Sequence, residues 1–220
     1  METSGSSVFF GKGMEAVKRE TETRELLLAS AKAEFLEKGY MKASLRNICK
    51  NAGVTTGALY FFFRDKDDLF VSLLKEPVEE IKKIMFSHYE EERQLAEQGK
   101  LVDDDRKDDL EATEQVIRQM YRYREEVLIL LTKAQGSSME HVLDEFVEIG
   151  ELHFRRMAEA MCRQMGKAEV AGNVIHWIAH LQVDIFVYAV THIETEEEAA
   201  AYMKCVVKYM TSGWFGMIGD

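Results

Sequence analysis

One proline, Pro77, interrupts a chain of 220 residues. Proline removes a backbone donor and clashes with the preceding helical turn, so its near-absence makes long uninterrupted helices the simplest reading. Apolar spacing agrees. Leu27, Ala31 and Phe35 fall at i, i+4 and i+8, one stripe of a helix over about 23–38. Gly39 ends it, with Lys38 in the last turn. No stretch alternates apolar and polar residues between turn signals, and no repeat is visible. The chain is expected to be all-α.

Ser44 starts a second helix, its hydroxyl placed to cap a free N–H, with Leu45, Ile48 and Cys49 as the buried face. Asn51-Ala-Gly53 ends it after two turns. Thr55 caps a third short helix running through Leu59, Tyr60 and Phe63. Two short helices around a tight Gly-containing turn form the helix-turn-helix pattern. Asp65 caps a fourth helix, with Asp67 and Asp68 in its first turn; it runs to about Gln98, and Pro77 is expected to kink it. The stretch 99–107 reads as a charged connection. Beyond it the spacing predicts helices near 108–123, 125–135, 138–165, 169–192 and 195–218. Residues 1–20 are expected to form a flexible arm, 21–70 a helix-turn-helix domain, and 71–220 an effector-binding and dimerisation domain.

Net charge is −11, yet it is unevenly placed. Residues 1–75 hold 12 Lys and Arg against 10 Asp and Glu; within 40–66, Lys42, Arg46, Lys50, Arg64 and Lys66 face Asp65 alone. Phosphate attraction acts within about a Debye length, ~8 Å at physiological salt, so a local basic face outweighs the total.

Other classes find little support. Cys49, Cys162 and Cys205 lack any CxxC or CxxH pairing, so neither zinc nor a disulfide framework is expected. No uninterrupted apolar run approaches the roughly 20 residues needed to cross a bilayer, and no basic-then-apolar leader opens the sequence, which predicts a cytoplasmic protein without a membrane partner. No GxSxG, Walker loop, dinucleotide fingerprint or HExxH appears, so no enzyme and no cofactor are expected. His176 and His180 stand at i, i+4, a metal-capable spacing that His153 would approach, but no carboxylate is placed beside them and no metal is expected.

The run ASLRNICKNAGVTTGALYFFFRDKDDL, preceded by FLEKGY, resembles the TetR family of bacterial transcriptional regulators. Phe35, Gly39, Tyr40, Ser44, Ile48, Ala52, Gly53, Val54, Gly57, Leu59, Tyr60, Phe63, Lys66 and Leu69 fall in register with its pattern. Close resemblance covers about a quarter of the chain; the rest agrees in length and helical character. Two positions depart from the pattern. Glu34 stands where the family has an apolar residue, so that part of the first helix is expected to be more exposed. Phe62 stands where the family often has His, which removes a phosphate hydrogen bond.

The chemistry of the segment can be argued independently. Ser44 and Thr55 sit at helix starts, where free N–H groups and the dipole favour a phosphate oxygen. The Tyr60 hydroxyl and the Lys66 ammonium suit the DNA backbone, as positioning contacts. Base reading falls to Thr56, Gly57, Ala58 and Phe61, with Arg46 suited to guanine O6 and N7. Four consecutive aromatics, Tyr60 to Phe63, span more than one helix face, so Phe61 or Phe62 should be exposed.

Helix-turn-helix proteins commonly bind two-fold-related half-sites as dimers. Val174, Ile178, Leu181, Ile185 and Tyr188 make one apolar stripe, and Tyr202, Val206, Met210, Trp214 and Met217 another. The resemblance implies that these last two helices pair with their twins in a four-helix bundle. It also implies a cavity for a small hydrophobic effector among the central helices. Lining residues would be Phe86, Tyr89, Ile117, Met120, Tyr121, Leu128, Leu131, Phe146, His153, Met157, His176, Trp177 and His180. The expected function is a ligand-responsive repressor that binds a palindromic operator; the alternatives are an activator of the same fold or a helical protein-binding adaptor.

Overall fold

The computed structural model describes residues 6–100 and 107–219, and every regular element among them is helical. In order these are α1 (Ser6–Lys42), α2 (Leu45–Ala52), α3 (Thr56–Phe62), α4 (Lys66–Glu97), α5 (Lys107–Arg122), α6 (Arg124–Lys133), α7 (Val142–Met165), α8 (Gly172–His192) and α9 (Glu196–Gly219). The connection at 99–107 lies mostly outside the described residues. Helix α1 begins at Ser6, well before the expected start near 23. Most of 6–20 is therefore helical where an arm was expected, and its Ala, Met, Glu, Lys and Arg are good helix formers.

The reading head is built by its caps. Ser44 Oγ accepts from the Asn47 amide, Thr55 Oγ1 from the Ala58 amide, and Asp65 from the Asp68 amide. Gly53 closes α2 at φ 69°, donating its N–H toward the Cys49 and Lys50 carbonyls, and Gly39 kinks α1 at φ 74°. Both are left-handed positions that favour glycine. Leu27, Ala31, Phe35, Ile48, Leu59, Phe63, Leu69, Phe70 and Leu74 are buried together. Ile129 of α6 and Ala134, which caps that helix, belong to the same cluster, so apolar packing crosses the expected division at residue 70.

Helix α4 runs unbroken through Pro77, which is buried. Its first turns lie in the head, and its later turns pack against α5 and α7. Thr195 and Glu198 form a reciprocal cap on α9. The C-terminal carbonyls of α8 and its cap are held by Tyr121 Oη and Arg124, both bonded to Ile193 O at 2.9 Å. By length and a mean hydropathy of 1.3, α8 is apolar enough to cross a bilayer, although no uninterrupted apolar run is that long. Ile175, Ile178, Ala179, Ala189 and Val190 are buried in the chain, Leu181 and Ile185 are half-buried, and Trp177 and Tyr188 face outward.

Candidate functional site

Two sites emerge, one on α2 and α3 and one within the helical body. On α3 the pairs Thr56/Tyr60 and Gly57/Phe61 each lie one turn apart and so share neighbouring surface. Thr56 and Gly57 are exposed, Tyr60 is 55% exposed and Phe61 70%, while Leu59 and Phe63 are buried. Phe62 is half-buried, edge-on to Phe61 with ring centroids 4.9 Å apart. Ala58 is half-buried, and Arg46 is exposed on α2. A Cβ at Gly57 would meet nothing closer than Thr55 Oγ1 at 3.8 Å, so nothing within the chain requires glycine there.

Ser44 and Lys66 are placed differently from Arg46. Ser44 gives its amide to Glu34 and uses Oγ to cap Asn47; the hydroxyl proton remains a donor, as at Thr55. Lys66 turns toward the end of α1, with Nζ 2.8 Å from Tyr40 O and 3.4 Å from Met41 O. Arg64 is paired with Asp68 at 3.3 Å.

Glu34 is not more exposed but 3% exposed. Its carboxylate accepts two bonds from Lys38 Nζ at 3.0 Å, the Ser44 amide at 3.1 Å and Asn47 Nδ2 at 3.4 Å. Burial pushes this carboxyl up, but the bonds from Lys38, Ser44 and Asn47 outweigh it and hold it below the ordinary carboxylate range. An acid at an otherwise apolar position thus joins α1 to the start of α2. Ser30 makes a second such join, donating to Ile48 O at 2.9 Å.

The helical body encloses a cavity of about 640 Å³ between α4, α5, α6, α7, α8 and α9. Of the expected lining, Tyr89, Met120, Leu131, Phe146, His153, Met157 and Trp177 border it. The others are placed elsewhere. Ile117 is sealed in core with Ala189, Ala199 and Met203, and Leu128 packs beside Val116 and Val127. Tyr121 caps α8, and Phe86 is exposed. His176 and His180 are exposed and face each other, Nε2 to Nε2 3.2 Å. A carboxylate does stand there, contrary to expectation: Glu151 Oε2 is 2.6 Å from His176 Nδ1.

His153 approaches Glu92 instead, at 2.9 Å. It stacks on Tyr89, ring centroids 3.7 Å apart, and Tyr89 Oη donates to Gln182 at 3.1 Å. Burial raises the Tyr89 phenol, keeping it a neutral donor. Sequence reasoning missed Glu92, His88 and Asp109, which also border the cavity. The i, i+4 spacing of His88 and Glu92 on α4 was the available signal.

The expected dimer stripes divide. Ile178 is 7% exposed and belongs to the chain's own core. Leu181, Ile185, Val206, Met210 and Trp214 border the cavity, and Trp214 Nε1 donates to Met161 Sδ at 3.2 Å. Val174 is half-buried, and Tyr188 and Tyr202 pack on each other at 5.7 Å. Trp177, Tyr188 and Tyr209 are the prominent exposed aromatics of α8 and α9.

A capped helix-turn-helix head is joined by one long helix to a hollow helical body. Residues 27–73 match the family described as bacterial regulatory proteins, tetR family. The match covers the helix-turn-helix head and about a fifth of the chain. It is 48% identical over 63 residues to the HTH-type transcriptional repressor BepR of Brucella suis, covering 27% of this chain but only 30% of that protein's length. It is 25% identical over 169 residues to the HTH-type transcriptional repressor AcnR of Corynebacterium glutamicum, covering 76% and 81%. The fold resembles NalD, the secondary repressor of the MexAB-OprM multidrug efflux pump in Pseudomonas aeruginosa, with TM-score 0.59, 21% identity and coverage of 89% and 97%.

Proposed function

We propose that this protein is a cytoplasmic transcriptional repressor that binds a two-fold-symmetric DNA operator as a homodimer and is released by a small, largely apolar effector. The observation that carries the reading is the exposed face of α3. Tyr60 and Phe61 stand in solvent beside Thr56 and a Gly57 that the fold does not require. Large exposed aromatics on a basic surface suit thymine methyls and backbone, and an absent side chain lets the duplex approach. Arg46 adds guanine reading, and the free protons of Ser44 and Thr55 suit phosphate. BepR and AcnR, which the chain resembles in sequence, are transcriptional repressors.

Dimerisation is supported by the exposed aromatics Trp177 and Tyr188 of α8 and Tyr209 of α9. The effector reading is supported by the cavity and by α4, which borders the cavity and begins inside the head. Coupling between two such sites is typically about 1–3 kcal/mol.

Selection from a random duplex pool tests the reading. The expected result is one enriched palindromic site, bound with steep salt dependence and lost on Tyr60→Ala or Phe61→Ala without loss of helicity. A folded protein that enriches no duplex overturns it and favours the protein-binding adaptor. An enriched site lying upstream of a promoter that the protein stimulates would make it an activator.

A further inference from the structure

At one end of the otherwise apolar cavity, four ionisable side chains converge from three helices. His88 and Glu92 stand one turn apart on α4, Asp109 lies in the first turn of α5, and His153 lies midway along α7. His153 Nε2 is 2.9 Å from Glu92 Oε2; His88 Nε2 is 3.4 Å from the same oxygen and 3.5 Å from Asp109 Oδ1. Ligand atoms of His88, Glu92 and Asp109 all lie within 4.8 Å of one another.

Hydrogen bonding alone explains this arrangement poorly. Glu92 Oε2 is fully buried and has no partner with hydrogen-bond alignment, despite two imidazole nitrogens nearby. His88 Nε2 is nearly equidistant from two carboxylates, and one N–H cannot be directed at both. Two carboxylates and two imidazoles thus gather at one end of an apolar cavity, the donor set that holds a cation. Tetrahedral ligand atoms about 2.0–2.2 Å from one ion stand roughly 3.3–3.6 Å apart, which His88–Glu92 and His88–Asp109 already match, while His153, in contact with Glu92, has to turn toward the ion to join them. The His153 ring is already oriented by its stack on Tyr89, which Gln182 fixes in turn.

We propose that His88, Glu92, Asp109 and His153 bind a divalent transition-metal ion of the zinc class. Two imidazoles and two carboxylates match that class, and the open side of the site faces the cavity, where an anionic group of an effector would complete the coordination. The ion ties α4 to α5 and α7 at the end of α4 remote from the head. This regulatory consequence rests on the repressor reading; the metal site itself does not.

The test uses the metal-free full-length chain titrated with cobalt(II) alone, followed by displacement with zinc. The expected result is one cobalt per chain with visible d–d bands, and binding weakened more than about tenfold by Glu92→Gln, His153→Ala and the partly exposed Asp109→Asn. Far-UV circular dichroism checks that each variant is folded. The assignment is overturned if the wild type takes up no stoichiometric cobalt or zinc, or if Glu92→Gln and Asp109→Asn bind as tightly as wild type. It is equally overturned if His180→Ala alone abolishes uptake, which would move the ion to the His176/His180 pair. No DNA enters this measurement, so its failure leaves the regulator reading standing. Failed duplex selection with intact cobalt binding would do the reverse.

Discussion

Lys66 Nζ lies 2.8 Å from the carbonyl oxygen of Tyr40 and 4.5 Å from the centroid of the Tyr40 ring. The first residue of α4 thereby caps the C-terminal end of α1, where carbonyls lack helical partners and a cation is favourable. Lys66→Met is expected to lower stability by about 1.5–3 kcal/mol in denaturant melts, the scale of a charged hydrogen bond. The slope of log affinity against log salt is expected to change less than for Arg46→Ala, which should lose about one unit. Equal slope changes would make Lys66 primarily a phosphate contact.

Glu34 yields a pH prediction. Its folded carboxyl lies below its ordinary value of 4.5, so its contribution is present above that value and is lost as pH falls through the lower folded one. Stability of the wild type should therefore drop more steeply between roughly pH 5 and 3 than that of Glu34→Gln. Parallel curves would show that the carboxylate charge is not what holds α2. Glu34→Ala, which strips partners from Lys38, Ser44 and Asn47, should cost about 1–3 kcal/mol at neutral pH.

Gly136 sits at φ 82° in the α6–α7 turn, and a Cβ there would overlap the Met41 thioether. Two residues on, the Ser138 amide donates to Asp67 at 2.9 Å, so this turn also touches the head. Gly136→Ala should destabilise by about 1–2 kcal/mol for backbone strain, plus the cost of moving Met41. Adding Met41→Ala should relieve the overlap and leave the backbone part. Unchanged melting of Gly136→Ala would refute this account.

Trp177 and Tyr188 offer the interface test. Trp177 is 59% exposed and Tyr188 49%, both on α8. If they bury against a second copy, Trp177→Ala or Tyr188→Glu should weaken dimerisation by about 2 kcal/mol, roughly 30-fold, in sedimentation equilibrium. A wild type that stays monomeric at micromolar concentration would remove α8 from the interface.

The helices and the head were legible because their signals are local. Ser44, Thr55 and Asp65 announce helix starts, Gly39 and Gly53 announce stops, and Leu27, Ala31 and Phe35 mark a buried stripe. The cavity was legible only in part, because periodicity says which face is apolar but not what lies opposite. Tyr121 had the composition of a pocket residue, yet its hydroxyl is spent on carbonyls 68 and 72 positions away in sequence. Glu34 was misjudged for a related reason: an acid in a helix stripe reads as solvated until its partners, ten and thirteen residues on, are seen folding back over it.

Ile129 of α6 and its capping residue Ala134 are packed into the same apolar cluster as Leu27, Phe35 and Leu59. The head is therefore no bead on a string. Prising it from the body would strip water-shy surface on both sides, so heat should dismantle the two together, and a cut chain ending near residue 70 would be left with a raw, insoluble flank.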